Sequence, residues 1–205
     1  MSEDNLQKLF GNIDIYLFDQ LLKGRLSPGM RMLDAGCGSG RNLIYFLRAG
    51  YQVFGVDQSE DAIREVRRLA SALAPQLPAD NFRVEPAERM SFASEVFDLV
   101  LSSAVLHFAR DEEQWQTMID EMWRVLKPGG IFFARLASTI GMEDKIKLIE
   151  GRRYHLPDGS DRFLVNETML KTVTVAAGGE FIEPIKTTVV ENLRAMTTWV
   201  VKKKC

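Results

Sequence analysis

Two acids and three glycines carry the strongest chemical signal in the chain. Asp34, Gly36, Gly38 and Gly40 fall within LDAGCGSG, Leu33 to Gly40, and Asp57 lies 17 positions beyond Gly40. Glycines so spaced let a backbone turn tightly and approach a ligand without Cβ interference, a need common to nucleotide, dinucleotide and nucleoside sites. A dinucleotide fingerprint needs a third glycine or alanine, but Arg41 stands there counting from Gly36, and Leu43 counting from Gly38. A phosphate loop needs Gly-Lys-Ser or Gly-Lys-Thr, and neither follows. Asp34, two residues before the first glycine, would repel a pyrophosphate and suits a ligand with ammonium or sulfonium charge. Asp57 offers a carboxylate that can accept from both hydroxyls of a ribose. Each acid has a plainer alternative, Asp34 as a loop cap and Asp57 as a helix initiator, but their placement beside the glycines favours binding. Cys37 reads as a small packed residue and not a nucleophile.

The elements that must position these residues follow from apolar periodicity. Leu6 to Leu22 recurs at three- and four-residue steps and predicts one helix, ended by Gly24 and Pro28. Strands are predicted over Met30–Ala35, Gln52–Val56, Asn81–Glu85, Val96–Ser102 and Ile131–Ala137. Helices are predicted over Arg41–Ala49, from Ser59 to Leu73, over Asp111–Leu126 and over Asn166–Ala177, with Ser59 and Asn166 as N-caps. Strand and helix alternate, so right-handed crossovers and a doubly wound, mostly parallel α/β sheet with helices on both faces are expected. Phe181–Val190 and Thr197–Lys203 leave no room for a crossover helix and predict an antiparallel hairpin at the C-terminal edge. Thr139 to Phe163 reads as one long irregular stretch, of the kind used as a lid or binding segment. In an open α/β sheet the ligand lies beyond the carboxyl ends of the strands. Asp34, Asp57, the run Pro86-Ala87-Glu88 and the pair Ser102-Ser103 would therefore meet in one crevice.

Composition narrows the partners. The 205 residues, 46% hydrophobic and 26% charged, fit one globular domain. A formal charge of −2 gives no strong attraction to nucleic acid or a membrane surface, so a small molecule is the expected partner. Cys37 and Cys205 have neither metal-clasp nor disulfide spacing, and no metal is expected. With no eighteen-residue apolar run, and with Glu3 and Asp4 where a secretory signal carries basic residues, a cytoplasmic protein is expected.

In combination, LDAGCGSG at Leu33 to Gly40, VFGVD at Val53 to Asp57, FDLV at Phe97 to Val100 and RVLKPGG at Arg124 to Gly130 resemble class I S-adenosylmethionine-dependent methyltransferases. The resemblance runs in order over residues 30 to 137, and the closing hairpin is similar to the reversed edge of that family's seven-stranded sheet. It implies a Rossmann-like methyltransferase fold as a single domain: 1–29 an N-terminal helical cover, 30–137 the cofactor core, 138–179 a cover for the acceptor pocket, 180–205 the closing hairpin. It implies S-adenosylmethionine as cofactor and S-adenosylhomocysteine as product. Gly36, Cys37, Gly38 and Gly40 would lie against the methionine part and ribose, Asp57 on the ribose hydroxyls and Gln58 beside the adenine, with Asp34 acting electrostatically. Pro86 stands where many members carry an acid for the adenine amino group, a departure that leaves the backbone of Ala87 and Glu88 to read that edge. Ser102 and Ser103 match the strand end whose carbonyl usually accepts from the methionine ammonium.

For the acceptor side, His107 is the better placed of two histidines for a general base, since an ordinary histidine titrates near neutrality; a packed structural histidine is the alternative. Tyr154 and His155, inside the irregular stretch, are assigned to the acceptor pocket. The expected reaction is in-line methyl transfer to a small molecule, by a monomer or homodimer. Two rivals stand beside it: a methyltransferase-like binding protein without turnover, and a nicotinamide-dependent oxidoreductase.

Overall fold

The computed structural model describes residues 3–205, and side chains from residue 6 onward; residues 1 and 2 of the expected N-terminal cover lie outside it. Two short helices open the chain, α1 (Glu3–Phe10) and α2 (Ile15–Leu22), where periodicity predicts one. Gly11 breaks them in the left-handed region at φ 59°, where its N–H still closes on the Gln7 carbonyl at 2.8 Å. Asp14 then starts α2 by accepting from the Tyr16 N–H at 3.0 Å. A helical apolar pattern is thus kept across a turn, which periodicity alone does not detect.

The core alternates as predicted: β1 (Arg31–Ala35), α3 (Ile44–Arg48), β2 (Gln52–Asp57), α4 (Glu60–Leu73), β3 (Phe82–Val84), β4 (Phe97–Ser103), α5 (Glu112–Val125) and β5 (Leu126–Ala137). Ser59, Asp111 and later Asn166 act as N-caps, accepting from the N–H of Ala62, Gln114 and Met169. Strand β5 begins five residues earlier than Ile131, because Leu126 pairs with Phe97 and Lys127-Pro128-Gly129-Gly130 bulge out before Ile131 pairs with Leu99.

Three short antiparallel strands, β6 (Lys147–Glu150), β7 (Arg153–His155) and β8 (Asp161–Phe163), occupy the segment expected to be irregular. The turn signal Pro157-Asp158-Gly159-Ser160 joins the last two, with Gly159 at φ 81° and the Leu156 N–H on the Ser160 carbonyl at 2.9 Å. After α6 (Glu167–Ala176) come β9 (Gly179–Phe181), β10 (Lys186–Val190) and β11 (Arg194–Lys203). The one strand predicted over Phe181–Val190 is divided around Glu183 and Pro184. Proline has no N–H for the ladder, and the buried Glu183 carboxylate turns to Lys23, Arg25 and Lys186. Glu191 and Asn192, at φ 51° and 57°, turn the final hairpin.

Across the main sheet the order is β10, β11, β5, β4, β1, β2, β3, with β9 pairing the same edge of β11 beyond β10. β1 through β5 run parallel, and β11 runs antiparallel to β5. This is a seven-position, mostly parallel, Rossmann-like sheet. Helices cover both faces, so strand residues alternate between two cores. Leu33, Val100 and Phe132 join Trp115 and Trp199 on one side, while Met32, Leu101 and Phe133 join Leu17, Phe46 and Val66 on the other. Strand order reverses at β1, which has β2 on one side and β4 on the other, and the crevice opens beyond their carboxyl ends.

Candidate active site

The three glycines after β1 share left-handed backbone, at φ 86°, 52° and 86°, but differ in surroundings. A Cβ on Gly36 would collide with the Val105 side chain, and one on Gly40 would come within 2.9 Å of Val66 Cγ2 and 3.0 Å of Leu69 Cδ2. At Gly38 it would meet nothing within 4 Å. Gly40 therefore serves helix packing, Gly36 lets β1 pass the segment after β4, and Gly38 alone faces open space. Cys37 does not face the crevice. It is buried against Gly55, whose added Cβ would lie 2.9 Å from its sulfur, and burial together with the nearby Asp34 and Asp57 charges pushes its thiol up. The side chain is a core filler, in keeping with its reading as a small packed residue.

Asp57 ends β2 and holds the loop as well as facing the crevice. Its Oδ2 accepts from the Gly38 N–H and its Oδ1 from the Ser59 N–H, both at 2.9 Å. Asp34 is buried, with Oδ1 lacking a hydrogen-bond partner. Burial raises its carboxyl to about 7, against the lowering effect of the Arg41 charge and with a further rise from Asp57. Arg41 reaches across to Ser103, its Nη2 donating to Oγ at 3.0 Å, and Asn42 instead accepts from the Asp14 N–H at 2.9 Å, tying the N-terminal cover to the loop. Ser102 is fully buried.

A cavity of about 340 Å³ lies against these strand ends, lined by Gly36, Asp57, Gln58, Ala87 and Glu88 among the expected residues. Pro86 also lines it, and Glu88 is oriented by Gln114, whose Nε2 donates to Oε1 at 2.9 Å. Val105, Phe108 and Met118 complete the wall and were not expected. Val105 and Phe108 follow β4 directly, so extending the strand-end rule by a few residues would find them. Met118 is inseparable by spacing from the core positions of α5.

Ala104, at φ 64°, also lines a second cavity of about 310 Å³. Leu156, Asp158, Ser160 and Arg162 of the 138–179 segment line this cavity, together with His107, Arg135 and Arg194. Tyr154 and His155 do not. Tyr154 packs on Leu156 and Leu164, and His155 lies exposed with Nδ1 2.7 Å from Asp161 Oδ1. Their side chains sit outside this cavity, while residues of the following turn line it.

His107 is in the second cavity, 7% exposed. The Ala137 N–H donates to its Nδ1 at 3.3 Å, so the neutral ring carries its hydrogen on Nε2. Burial, reinforced by the charges of Arg162 and Arg194, lowers it to about 4. A ring held this way offers a donor to the cavity and is a weak base. Among the described residues no cluster of histidine, cysteine and carboxylate side chains could hold a metal ion, and no helix is long and apolar enough to cross a membrane.

Comparison with known proteins places the site in a family. A methyltransferase-domain model matches residues 33–134. The chain is 36% identical over 107 residues to an uncharacterized methyltransferase of Synechocystis sp., covering 52% of this chain and 47% of that protein. It is 33% identical over 159 residues to a ubiquinone biosynthesis O-methyltransferase of Chelativorans sp., covering 73% and 58% respectively. The chain thus spans about half the length of the curated relatives it matches. In fold it is similar to the 1,6-didemethyltoxoflavin-N1-methyltransferase of Burkholderia thailandensis, solved with its acceptor and S-adenosylhomocysteine, at TM-score 0.70 and 20% identity over 98% of this chain and 86% of that one. The protein belongs to the class I S-adenosylmethionine-dependent methyltransferases. Membership sets the nicotinamide alternative aside.

The cofactor fits what the residues offer. A buried carboxylate lacking a partner suits a cationic ligand, the open face at Gly38 leaves room for one, and Asp57 lines the cavity from the end of β2 with a carboxylate that can accept from hydroxyls.

Proposed function

We propose that the protein transfers a methyl group from S-adenosylmethionine to a small-molecule acceptor, leaving S-adenosylhomocysteine. The observation that carries this is the pair of cavities meeting at Ala104, one lined by Gly36, Asp57, Gln58, Ala87 and Glu88 of the residues expected at the cofactor and one lined in part by the 138–179 cover. When bound, S-adenosylmethionine supplies an electrophilic methyl group on a sulfonium. The chain's own residues bind and orient. Asp57 takes the ribose hydroxyls while fixing Gly38, Gln58 and the backbone of Ala87 flank the adenine, and Asp34 gives the cationic end a buried countercharge. Glu88, held by Gln114, supplies the carboxylate that Pro86 cannot. At the acceptor, Nε2 of His107 donates a hydrogen bond and orients the nucleophile, a positioning role in place of the expected base. Rate then comes mainly from holding nucleophile and methyl carbon in line and excluding water.

The test is release of S-adenosylhomocysteine across a panel of small acceptors, beside calorimetric titration of the cofactor. Release with one acceptor class supports the proposal. Cofactor binding without release from any acceptor leaves the protein as a binding module without turnover. Failure to bind the cofactor overturns the site.

A further inference from the structure

The wall of the second cavity carries an excess of positive charge. Arg135 is balanced from behind by the buried Asp14, its Nη1 donating to Oδ2 at 2.8 Å. Arg194 Nη1 forms a long ion pair with Asp158 Oδ2 at 3.6 Å, beyond a hydrogen bond of ordinary strength, while the other oxygen, Oδ1, accepts from the Ser160 N–H and hydroxyl at 3.0 and 2.6 Å. Arg162 lies 4.8 Å from the centre of the Phe108 ring and donates to the Asp161 carbonyl at 2.8 Å. Among the described residues no carboxylate forms an ion pair with it within 4.0 Å. Counting Asp14 with the wall, three guanidinium groups face two carboxylates, and His107 is neutral. The remainder of the lining is apolar, from Ala137, Leu156, Val190 and Met196.

We infer that this cavity is a receptor for an organic oxyanion, with Arg162 and Arg194 gripping a carboxylate or phosphate head and the apolar wall taking the body. Resting on the methyl-transfer reading above, it makes the acceptor an anionic small molecule. Guanidinium forks match the planar or tetrahedral oxygens of such heads, and Arg162, which lies over Phe108 and gives Nη1 to the Asp161 carbonyl, keeps Nε and Nη2 to donate. The cavity of about 310 Å³ limits the body to a compact one. Burial is the main cause that lowers His107, and the charges of Arg162 and Arg194 add to it, in keeping with both lining the same cavity.

The experiment is calorimetry on the full chain saturated with S-adenosylhomocysteine, using benzoate, phenyl phosphate and neutral benzamide as probes. Benzoate or phenyl phosphate should bind, more weakly at higher salt, and benzamide should not. Arg162→Gln and Arg194→Gln should each weaken the anion by about tenfold, while Asp158→Asn, which removes the competing carboxylate, should tighten it. Thermal melts and S-adenosylhomocysteine affinity establish that each variant is folded. Equal binding of benzamide and benzoate, or anion affinity unmoved in both arginine variants, would overturn the inference. If wild type fails to bind S-adenosylhomocysteine, the methyl-transfer reading falls instead. Preference between benzoate and phenyl phosphate tells the two head groups apart.

Discussion

The two cavities that meet at Ala104 have opposite electrostatic character. The first is lined by Asp57, Glu85 and Glu88 with no basic residue, and Asp34 is buried beside it. The second is lined by Arg135, Arg162 and Arg194 against Asp158 alone. A cationic ligand and an anionic one would therefore each find its own compartment, and a methyl group passing between them would cross from the acidic side to the basic side. The difference also separates what is local from what is assembled. The first cavity comes from four consecutive strand ends, the second from elements between β4 and β11.

The sharpest break in this comparison is at Gly38, where a side chain projects into open space and the backbone is left-handed. Gly38→Val should abolish S-adenosylmethionine binding while circular dichroism shows a folded domain. Gly36→Ala and Gly40→Ala should instead lower the melting temperature, because their Cβ atoms meet Val105 and Val66. Binding lost equally in all three, with no difference in stability, would dissolve the distinction between a glycine whose Cβ side is open and two whose Cβ sides are packed, of which Gly36 also lines the first cavity.

Asp57→Ala comes next. The carboxylate lines the first cavity, where we propose that it takes the ribose hydroxyls, and also holds the Gly38 and Ser59 N–H groups, so its removal should weaken the cofactor by about 3 kcal/mol, roughly a hundredfold. Calorimetry reads this directly, and unchanged affinity would mean that the acidic cavity is not the cofactor's.

Legibility followed the same division. Asp34, the glycines and Asp57 stand at the ends of strands with continuous apolar runs, and such runs are hard to mistake when helices cover both faces. Ser59 and Asn166 were legible because a cap is a local interaction over three residues. By contrast, Arg135, Arg162 and Arg194 meet only through the pairing of β5 with β11 and the turn before β8, and a lone arginine has no spacing to betray it. Tyr154 and His155 lie in the segment that reaches the second cavity but outside its lining; a three-residue strand leaves no periodicity to fix which side chains turn inward. Gly11 and Pro184 punctuated elements that apolar pattern alone joined.

Asp34 links the acidic cavity to pH. Its folded carboxyl is raised to about 7, so its contribution to the stability of the free protein is complete below the unfolded value of 3.8 and is lost as pH rises through 7. A cationic ligand reverses that cost by stabilising the carboxylate. Affinity for S-adenosylmethionine should rise with pH, by about tenfold between pH 6 and 7.5, with proton release measurable by calorimetry in buffers of different ionisation enthalpy. S-adenosylhomocysteine, which lacks the sulfonium charge, should show a shallower dependence. Asp34→Asn should flatten both, and a slope that persists in this variant would assign the proton elsewhere.

The smallest effect is expected at His107. If it were the base, its replacement would cost about 10²-fold in turnover and erase an inflection near neutrality. With Nδ1 accepting from Ala137 and the ring lowered to about 4, it is already neutral across the range in which a base would titrate. His107→Asn should therefore lower turnover by no more than about tenfold, the cost of one orienting hydrogen bond, and leave the pH–rate curve parallel to wild type, any inflection near 7 belonging to Asp34 in both. The histidine should show itself in stability instead. Its folded value lies below the unfolded 6.5, so the unfolded chain takes up the proton first; the contribution is complete above 6.5 and is lost as pH falls toward 4. The full shift is worth up to about 3 kcal/mol, and melting curves between pH 4 and 7 should lose that slope in His107→Asn. A pH–rate inflection that disappears with the histidine, at saturating cofactor and unchanged melting temperature, would restore the base and give the basic cavity a proton acceptor it otherwise lacks.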